Sequence, residues 1–237
     1  MTRRRWIADQ VSGNRAQLLG EHARHLSRVL RAQVGQEFDI AAENKIYRGR
    51  IVDVAGDRVE FELGNEIPAA AQYPVTLALS IFKFDRMEWA IEKCTELGVA
   101  RIVPVIAHRT EAHLVAAASK RVERWQRIAR QAAEQSRRVL PPEISQPVKL
   151  KAAVALPGSM RILLSEVETD AMLKDVVRSR RGEGEIILAL GPEGGWTEAE
   201  LKLFQEASWR AASLGDTILR AETAAIAALA VVLAELA

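Results

Sequence analysis

Two glycine-anchored turns near the C-terminus could do chemistry through their accessible backbone. The first is Leu190-Gly191-Pro192-Glu193-Gly194-Gly195, directly after the apolar run Ile186–Ala189. The second runs from Leu214 and Gly215 to Thr223, directly before an alanine-rich helical segment. Glycine leaves the backbone open to a ligand where a strand ends and a helix begins, and open α/β sheets bind small ligands at that edge. The two turns therefore predict one ligand pocket, framed from two sides.

The residue types in the first turn limit the kind of ligand. The chain has no G-x-x-x-x-G-K-[ST] motif, and Gly182-Glu183-Gly184 precedes a strand, so neither nucleotide-binding fingerprint is present. The Glu193 carboxylate would repel a pyrophosphate, and Pro192 has no N–H to donate. A ligand with a cationic or neutral portion fits better, although a tight strand–helix turn would by itself explain the glycines.

The second turn ends in charged residues at the start of the last helix. Arg220 stands just before that helix, and Glu222 and Thr223 lie in its first turn, where the helix dipole favours a carboxylate. A purely structural interpretation is also open, in which Glu222 forms an ion pair with Arg220.

Basic residues are concentrated in two segments of a chain whose net charge is only +2. Residues 1–31 contain seven arginines, and residues 119–138 contain seven lysines or arginines. From residue 160 onward there are eight basic and thirteen acidic residues. The planar guanidinium suits phosphate groups, so this segregation indicates a polyanion such as nucleic acid, with solvated helix surface as the alternative.

Several other classes of protein are disfavoured. The single cysteine, Cys94, excludes an intramolecular disulfide, suits a reducing compartment and falls in an apolar helical register typical of a core. The histidines have no metal-ligand spacing, so we expect no metal site, and no Ser-His-Asp arrangement is suggested. The start of the chain lacks an apolar signal stretch, and the longest apolar run is shorter than the roughly 20 residues that span a bilayer. We therefore expect a cytoplasmic protein without a membrane segment.

The pattern of apolar residues changes along the chain. Up to residue 63 it is mostly strand-like, with a short helix at His22–Arg31, and a small barrel would fit. Gly64–Pro74 contains two prolines and few apolar residues, which indicates a linker. After it, strands and helices alternate, which predicts a largely parallel sheet covered by helices. The expected strands are Glu37–Ile40, Ile46–Val54, Arg58–Leu63, Val75–Phe82, Arg101–Ile106, Met160–Ser165, Glu185–Leu190 and Arg210–Leu214, and the expected later helices are Asp85–Leu97, Ala116–Arg138, Asp170–Arg180, Thr197–Ala207 and Ala221–Leu236.

Three helices carry further expectations. Asp85 is expected to cap its helix, and Thr197 with Glu200 to form a capping box. The last helix is apolar on almost every face, so it must be buried within its domain or against a second subunit. Spacings of three and four place Gln135 and Arg138 on one polar helix face, which could contact RNA or the pocket, or be solvated.

Four motifs in a fixed order make the chain similar to one known family. They are Trp89–Val99, Ala133-Glu134-Gln135-Ser136 with Arg138, Leu190–Gly195, and Leu214 to Ala224. Together they resemble the RsmE family, which transfers a methyl group from S-adenosylmethionine (SAM) to N3 of a uridine in the decoding region of 16S ribosomal RNA. The resemblance implies an α/β fold with two domains, a PUA-like RNA-binding β-barrel at residues 1–70 and a SPOUT-type methyltransferase domain with a trefoil knot at 71–237. It also implies a homodimer, with 16S rRNA in the small ribosomal subunit as the partner.

The same resemblance implies roles for individual residues. Arg220 is the candidate that orients the uridine and stabilises its developing anion, and Glu193 is a weaker candidate for the general base. The candidates for holding SAM are Leu164, Ser165, Leu190, Gly191, Pro192, Glu193, Gly194, Gly195, Leu214, Gly215, Ile218, Leu219 and Thr223. The candidates for RNA contact are Arg3, Arg4, Arg5, Arg28, Arg31, Gln135 and Arg138.

Some alternatives stay open at the level of sequence. Arg137 stands where the family often has a small residue, so either Arg137 or Arg138 could be the arginine that reaches the site. The target atom could instead be a ribose 2′-hydroxyl, as in a related SPOUT enzyme. The chain could also be a non-catalytic RNA-binding module in which the glycine turns only shape the fold.

Overall fold

A computed structural model describes residues 5–68, 72–180 and 182–237. By its internal contacts the chain divides into two compact units. The first comprises Met1–Ala71 and Ala133–Pro141, and the second comprises Gln72–Ala132 and Pro142–Ala237. The assignment of a PUA-like domain to residues 1–70 and a SPOUT domain to 71–237 stays a prediction.

The first unit is built on a curled sheet of six strands in the order β1-β4-β5-β6-β3-β2. The strands are β1 (Arg5–Ile7), β2 (Gln10–Ser12), β3 (Arg15–Leu19), β4 (Glu37–Ala42), β5 (Lys45–Ala55) and β6 (Arg58–Ile67). Helix α1 (Gly20–Arg24) continues into a π-helical turn at His25–Val29, so the helical segment overlaps the predicted His22–Arg31 but begins two residues earlier and ends two residues sooner. Alternate residues of the strands, such as Leu18 and Phe61, point into an apolar core, as the two-residue period of a strand requires.

Strand β6 is longer than the sequence predicts. The expected linker begins at Gly64, but the strand continues to Ile67, which pairs with Ile46 of β5. The register shifts between Tyr47 and Gly49, and a Cβ at Gly49 would collide with the Ile40 side chain. Pairing across the sheet therefore extends a strand whose local composition favours a loop.

The second unit contains a sheet of seven strands, and all of its pairings are parallel. The strands are β7 (Val75–Ser80), β8 (Arg101–Ile106), β9 (Glu143–Ile144), β10 (Val148–Lys149), β11 (Met160–Leu164), β12 (Ile186–Leu190) and β13 (Arg210–Ala212). The main order is β10-β8-β7-β12-β11-β13, and β9 pairs with β8. The expected parallel sheet is confirmed.

Helices cover both faces of this parallel sheet. They are α2 (Phe84–Leu97), α3 (Ala112–Gln135), α4 (Leu150–Val154), α5 (Leu173–Arg178), α6 (Glu198–Glu206) and α7 (Ala221–Leu236). Leu188 and Leu190 of β12 belong to the core that α2, α3, α5 and α7 share, whereas Ile187 and Ala189 belong to a second core with α4 and α6. A strand buried on both faces is apolar at every position, and this explains the unbroken run in β12.

Of the two helix-capping predictions, one is correct and one is wrong. Thr197 and Glu200 form the expected capping box at α6, with side chain and backbone bonded in both directions. Asp85 does not cap α2, because the helix starts one residue earlier and its N-cap is Lys83, which makes no side-chain capping bond. In the part of the chain that the structure describes, no helix is both long enough and apolar enough to cross a membrane.

Candidate functional site

A cavity of about 420 Å³ lies at the carboxyl ends of β11 and β12. Both glycine-anchored turns line it, and so does Arg220. The other lining residues that the sequence singled out are Leu164, Ser165, Leu190, Gly191, Pro192, Glu193, Gly195, Leu214, Gly215, Ile218 and Leu219. Gly194 and Thr223 are not among the described residues that line it. The structure thus brings the two turns together, as their place at the ends of parallel strands requires.

The first turn, residues 191–195, is closed by a backbone hydrogen bond. The Gly195 N–H donates to the Pro192 carbonyl oxygen at 2.8 Å. Gly195 has φ +69°, and a Cβ there would stand 2.8 Å from a carboxylate oxygen of Glu166. The backbone angle therefore favours glycine at this position, and any side chain here would also displace the exposed Glu166 carboxylate.

Side chains from other parts of the second unit hold the first turn in place. Arg109, in the loop after β8, donates to the Gly194 carbonyl oxygen. Trp196 follows the turn directly, and its indole N–H donates to the Leu164 carbonyl oxygen at the end of β11, at 3.1 Å. These bonds tie the turn to the loop after β8 and to the end of β11.

The second turn, residues 214–220, follows Ser213, whose backbone is bonded to Ala171 and Leu173, and its side-chain contacts are local. The Ser213 hydroxyl donates to the Gly215 carbonyl oxygen and accepts from the Gly215 N–H, both at 3.2 Å. Gly215 has φ +130°, and a Cβ there would meet open space. Ile218 is 82% exposed although it lines the cavity. The second turn therefore presents an accessible, partly apolar wall.

Arg86, near the start of α2, makes the ion pairs at this site. Its Nη1 lies 3.0 Å from Oε1 of Glu193, and its Nε lies 3.9 Å from Oε1 of Glu222. The partner of Glu222 is thus Arg86, and the ion pair with Arg220 that the sequence allowed is not the one observed. Arg220 is exposed at the edge of the cavity.

Sequence reasoning missed several residues of this cavity. Lys83 and Arg86 line it from the start of α2, Glu166 from the loop after β11, and Trp196 from the end of the first turn. A usable signal existed, because α2 follows β7, and all strands of a parallel sheet end at the same edge. The position of β7 next to β12 was not deducible from local pattern.

Among the RNA-contact candidates, Arg28 and Arg31 are exposed in the first unit, and Arg3 and Arg4 lie outside the described residues. Arg5 is half-buried and donates to the Arg137 carbonyl oxygen. Burial lowers the pKa of Arg5, although the Asp39 carboxylate opposes the shift.

The two candidates at the end of the long helix differ from each other. Gln135 is exposed, whereas Arg138 is only 9% exposed, and burial lowers the pKa of its guanidinium to about 10. Arg137 is exposed and takes the left-handed conformation with φ +60°. Arg137, rather than Arg138, is therefore the arginine that presents its charge at the surface.

Other reactive groups do not add to the site. Cys94 is fully buried in the core of the second unit, and burial raises the pKa of its thiol to about 12, so the thiolate nucleophile is suppressed. Within the described ranges, no group of three or more His, Cys, Asp or Glu residues could hold a metal ion.

Comparison with known proteins identifies the family. Residues 69–233 match the family described as RNA methyltransferase domain. The ribosomal RNA small subunit methyltransferase E of Synechocystis sp. is 35% identical over 214 residues, which cover 87% of this chain and 68% of that protein. The chain belongs to the RsmE family.

Solved structures extend this relationship along the chain. The RsmE protein from Neisseria gonorrhoeae, bound to S-adenosyl methionine, is 31% identical and superposes with a TM-score of 0.85, covering 97% of this chain and 96% of that one. A Legionella pneumophila protein described as a methyltransferase in complex with the bound cofactor SAM is 29% identical, with a TM-score of 0.86 and coverage of 99% and 98%. The RsmE-family fold is therefore shared over both units of this chain.

Proposed function

We propose that this RsmE-family protein methylates N3 of a uridine in the decoding region of 16S rRNA, with SAM as the methyl donor. The observation that carries the proposal is the meeting of both glycine turns at one cavity, with Arg220 at its edge. Membership of the RsmE family supports an RNA substrate, and the relatives that bind SAM support the donor.

The cavity suits SAM in size and in chemistry. Its volume of about 420 Å³ falls in the range of roughly 300–1,000 Å³ that is typical of small-ligand pockets. The open space beside Gly215 lets a ligand approach the backbone, and Leu190 and Leu219 offer apolar surface. The lining carries both signs of charge, with Glu166 and Glu193 alongside Lys83, Arg86 and Arg220, which suits a ligand that, like SAM, has both a cationic and an anionic group. When bound, SAM supplies an electrophilic methyl group on its sulfonium.

The residues of the chain have to orient the uridine and remove the proton from N3. We assign the first task to Arg220, whose exposed guanidinium can hold the base and stabilise the negative charge that develops as the proton leaves. Glu193 is the weaker candidate for the base, because one of its oxygens already accepts a hydrogen bond from Arg86 at 3.0 Å.

We further propose that the first unit is a PUA-like RNA-binding domain within residues 1–70. The exposed guanidinium groups of Arg28 and Arg31, together with Gln135, would contact phosphates and set the register of the RNA. Arg3, Arg4 and Arg5 belong to the same arginine-rich segment of the sequence, residues 1–31. Arg138 is buried, which favours a supporting role for it over direct contact with RNA.

For residues 71–237 we propose the SPOUT-type trefoil knot. Its support is the strand order, in which β12 lies between β7 and β11 while β13 lies beyond β11. After Leu190 the chain must therefore cross to the outer edge of the sheet and then return as α7, which packs against α2 and α5. A knot would form where this returning segment passes through the loop of an earlier connection, which ordinary folds avoid.

We also propose a homodimer. Trp89 and Leu97 on α2 are 47% and 39% exposed, and α2 packs against the largely apolar α7. Exposed large apolar side chains beside an apolar helix are typical of a subunit interface. Because the proposed substrate is ribosomal RNA, we place the activity in the cytoplasm.

The decisive experiment combines labelled SAM with small ribosomal subunits and, separately, with free 16S rRNA. We expect transfer of the label to a single uridine, identified as N3-methyluridine by mass analysis of the nucleosides. A ribose 2′-O-methyl product would instead support a related SPOUT enzyme with another target. If a titration shows that the protein binds no SAM, the remaining interpretation is a non-catalytic RNA-binding module.

A further inference from the structure

One cation near the cavity is shared by two carboxylates from different parts of the second unit. Arg86 lies on α2, Glu193 lies in the glycine turn of residues 191–195, and Glu222 lies in the first helical turn of α7. Because α7 begins where the second turn ends, Arg86 links the structures on both sides of the cavity. Arg86 and Glu193 line the cavity, whereas Glu222 is not among its lining residues.

Glu222 is the buried end of this network. Its side chain is only 8% exposed, and its Oε2 is buried without a hydrogen-bond partner among the described residues. A buried carboxylate is strongly unfavourable unless a cation compensates it. The Arg86 guanidinium supplies that cation, with its Nε 3.9 Å from Oε1, which is an ion-pair distance rather than a hydrogen bond.

Glu193 is the exposed end of the same network. It accepts the Arg86 hydrogen bond at 3.0 Å, and both of these side chains are about one-third exposed. An isolated surface pair of this kind contributes little, because each side chain would lose rotamer freedom on pairing. Here Glu222 already restrains the guanidinium, so the entropic cost of holding Glu193 is reduced.

We propose that Arg86 is a positioning residue for methyl transfer, anchored by buried Glu222 and in turn holding Glu193 so that the first turn keeps the shape that binds the methyl donor. This inference rests on the proposed function. It assigns Glu193 to the wall of the donor pocket rather than to proton removal. Glu222 acts only through Arg86.

The test measures steady-state kinetics and calorimetric binding of SAM for the full-length protein with small ribosomal subunits as substrate. Arg86→Gln is expected to raise both Kd and KM for SAM about tenfold, while kcat at saturating SAM falls less than about threefold. Arg86→Lys keeps the charge but lacks the planar fork that reaches two carboxylates, so it should restore KM only in part.

Arg124→Gln provides a matched control. Arg124 of α3 pairs at 2.7 Å with Glu88, which lies on α2 as Arg86 does. Neither Arg124 nor Glu88 lines the cavity. This variant should therefore keep the KM for SAM of the unmodified protein. If Arg86→Gln gives the same KM as Arg124→Gln, or lowers only kcat, the positioning role is overturned.

Two further variants keep the inference testable if Arg86→Gln fails to fold. Arg86→Gln combined with Glu222→Gln removes the buried charge together with its partner, and should fold with the same raised KM. Glu193→Gln leaves the buried pair intact and should also raise KM; a fall in kcat alone would make Glu193 the base and contradict the proposal. Failure of the unmodified protein to bind SAM would defeat the proposed function itself, whereas normal binding with an unaltered KM in these variants defeats only this inference.

Discussion

The two turns that frame the cavity are held in different ways. The first is bonded to Arg86 from α2, to Arg109 from the loop after β8, and through Trp196 to the end of β11. The second is anchored at its start, where Ser213 exchanges backbone bonds with Ala171 and Leu173. Beyond that point its side-chain bonds are the local ones between Ser213 and Gly215, and Ile218 is 82% exposed. One side of the cavity is therefore fixed by distant parts of the unit, and the other side stays accessible.

The two turns therefore suit different tasks at the site. A wall that is held before the ligand arrives loses little entropy when it binds, so the first turn suits recognition of the donor. An accessible wall that ends in an exposed arginine suits approach of a large second substrate. Four predictions test this contrast.

The largest effect is expected from a side chain at the fixed turn. Gly195→Val imposes left-handed strain of up to about 3 kcal/mol and displaces the exposed Glu166 side chain, so the affinity for SAM should fall by about 150-fold. Calorimetry measures the affinity. Gly182→Val is the matched control, since Gly182 also has positive φ but a Cβ there meets nothing within 4 Å. Normal SAM affinity in Gly195→Val would remove the first turn from the donor site.

The next largest effect is expected at the end of the accessible turn. Arg220→Ala should lower the rate of methyl transfer about a hundredfold, because a charge-stabilising donor is lost, while the Kd for SAM changes less than about threefold. Single-turnover transfer and calorimetry measure the two quantities separately. An unchanged turnover would exclude Arg220 from the reaction.

A side chain at the accessible turn should do less damage than one at the fixed turn. Gly215→Ala imposes backbone strain of about 1–3 kcal/mol, and its single methyl group meets no protein atom within 4 Å and takes little of the open space, so we expect about tenfold weaker SAM binding. The comparison with Gly195→Ala, whose methyl group would collide with Glu166, is made under the same conditions. Equal losses in the two variants would contradict the contrast between the turns.

The smallest effects are expected on the free energy of unfolding, where a bonded side chain of the first turn is compared with an exposed side chain of the second. Trp196→Phe removes the hydrogen bond to Leu164 and should lower the free energy of unfolding by about 1 kcal/mol. Ile218→Ser alters an exposed side chain and should change it by less than about 0.5 kcal/mol. Urea denaturation measures both. A larger loss for Ile218→Ser than for Trp196→Phe would show that the second turn is held by more than local contacts.

Local signals predicted the elements well where neighbouring residues decide the structure. The bounds of β8 at Arg101–Ile106 and of α7 at Ala221–Leu236 agree with the expectation, as does the capping box of Thr197 and Glu200. The prediction was wrong at Asp85, because the helix begins at Phe84 and Asp85 lies inside its first turn. It was also wrong for Gly64, which was expected to begin the linker but lies in β6, the strand that pairs with β5.

Residue types and their order along the chain were enough to predict the family, the parallel sheet and the two glycine turns at its edge, because motifs and the alternation of elements can be read directly from the sequence. Which charged side chains meet depends instead on how the strands are arranged. Arg86 and Glu193 are 107 residues apart in the chain, and their contact follows from the placement of β12 beside β7. Strand order results from burying both faces of the sheet at once, and no short segment of sequence carries that information.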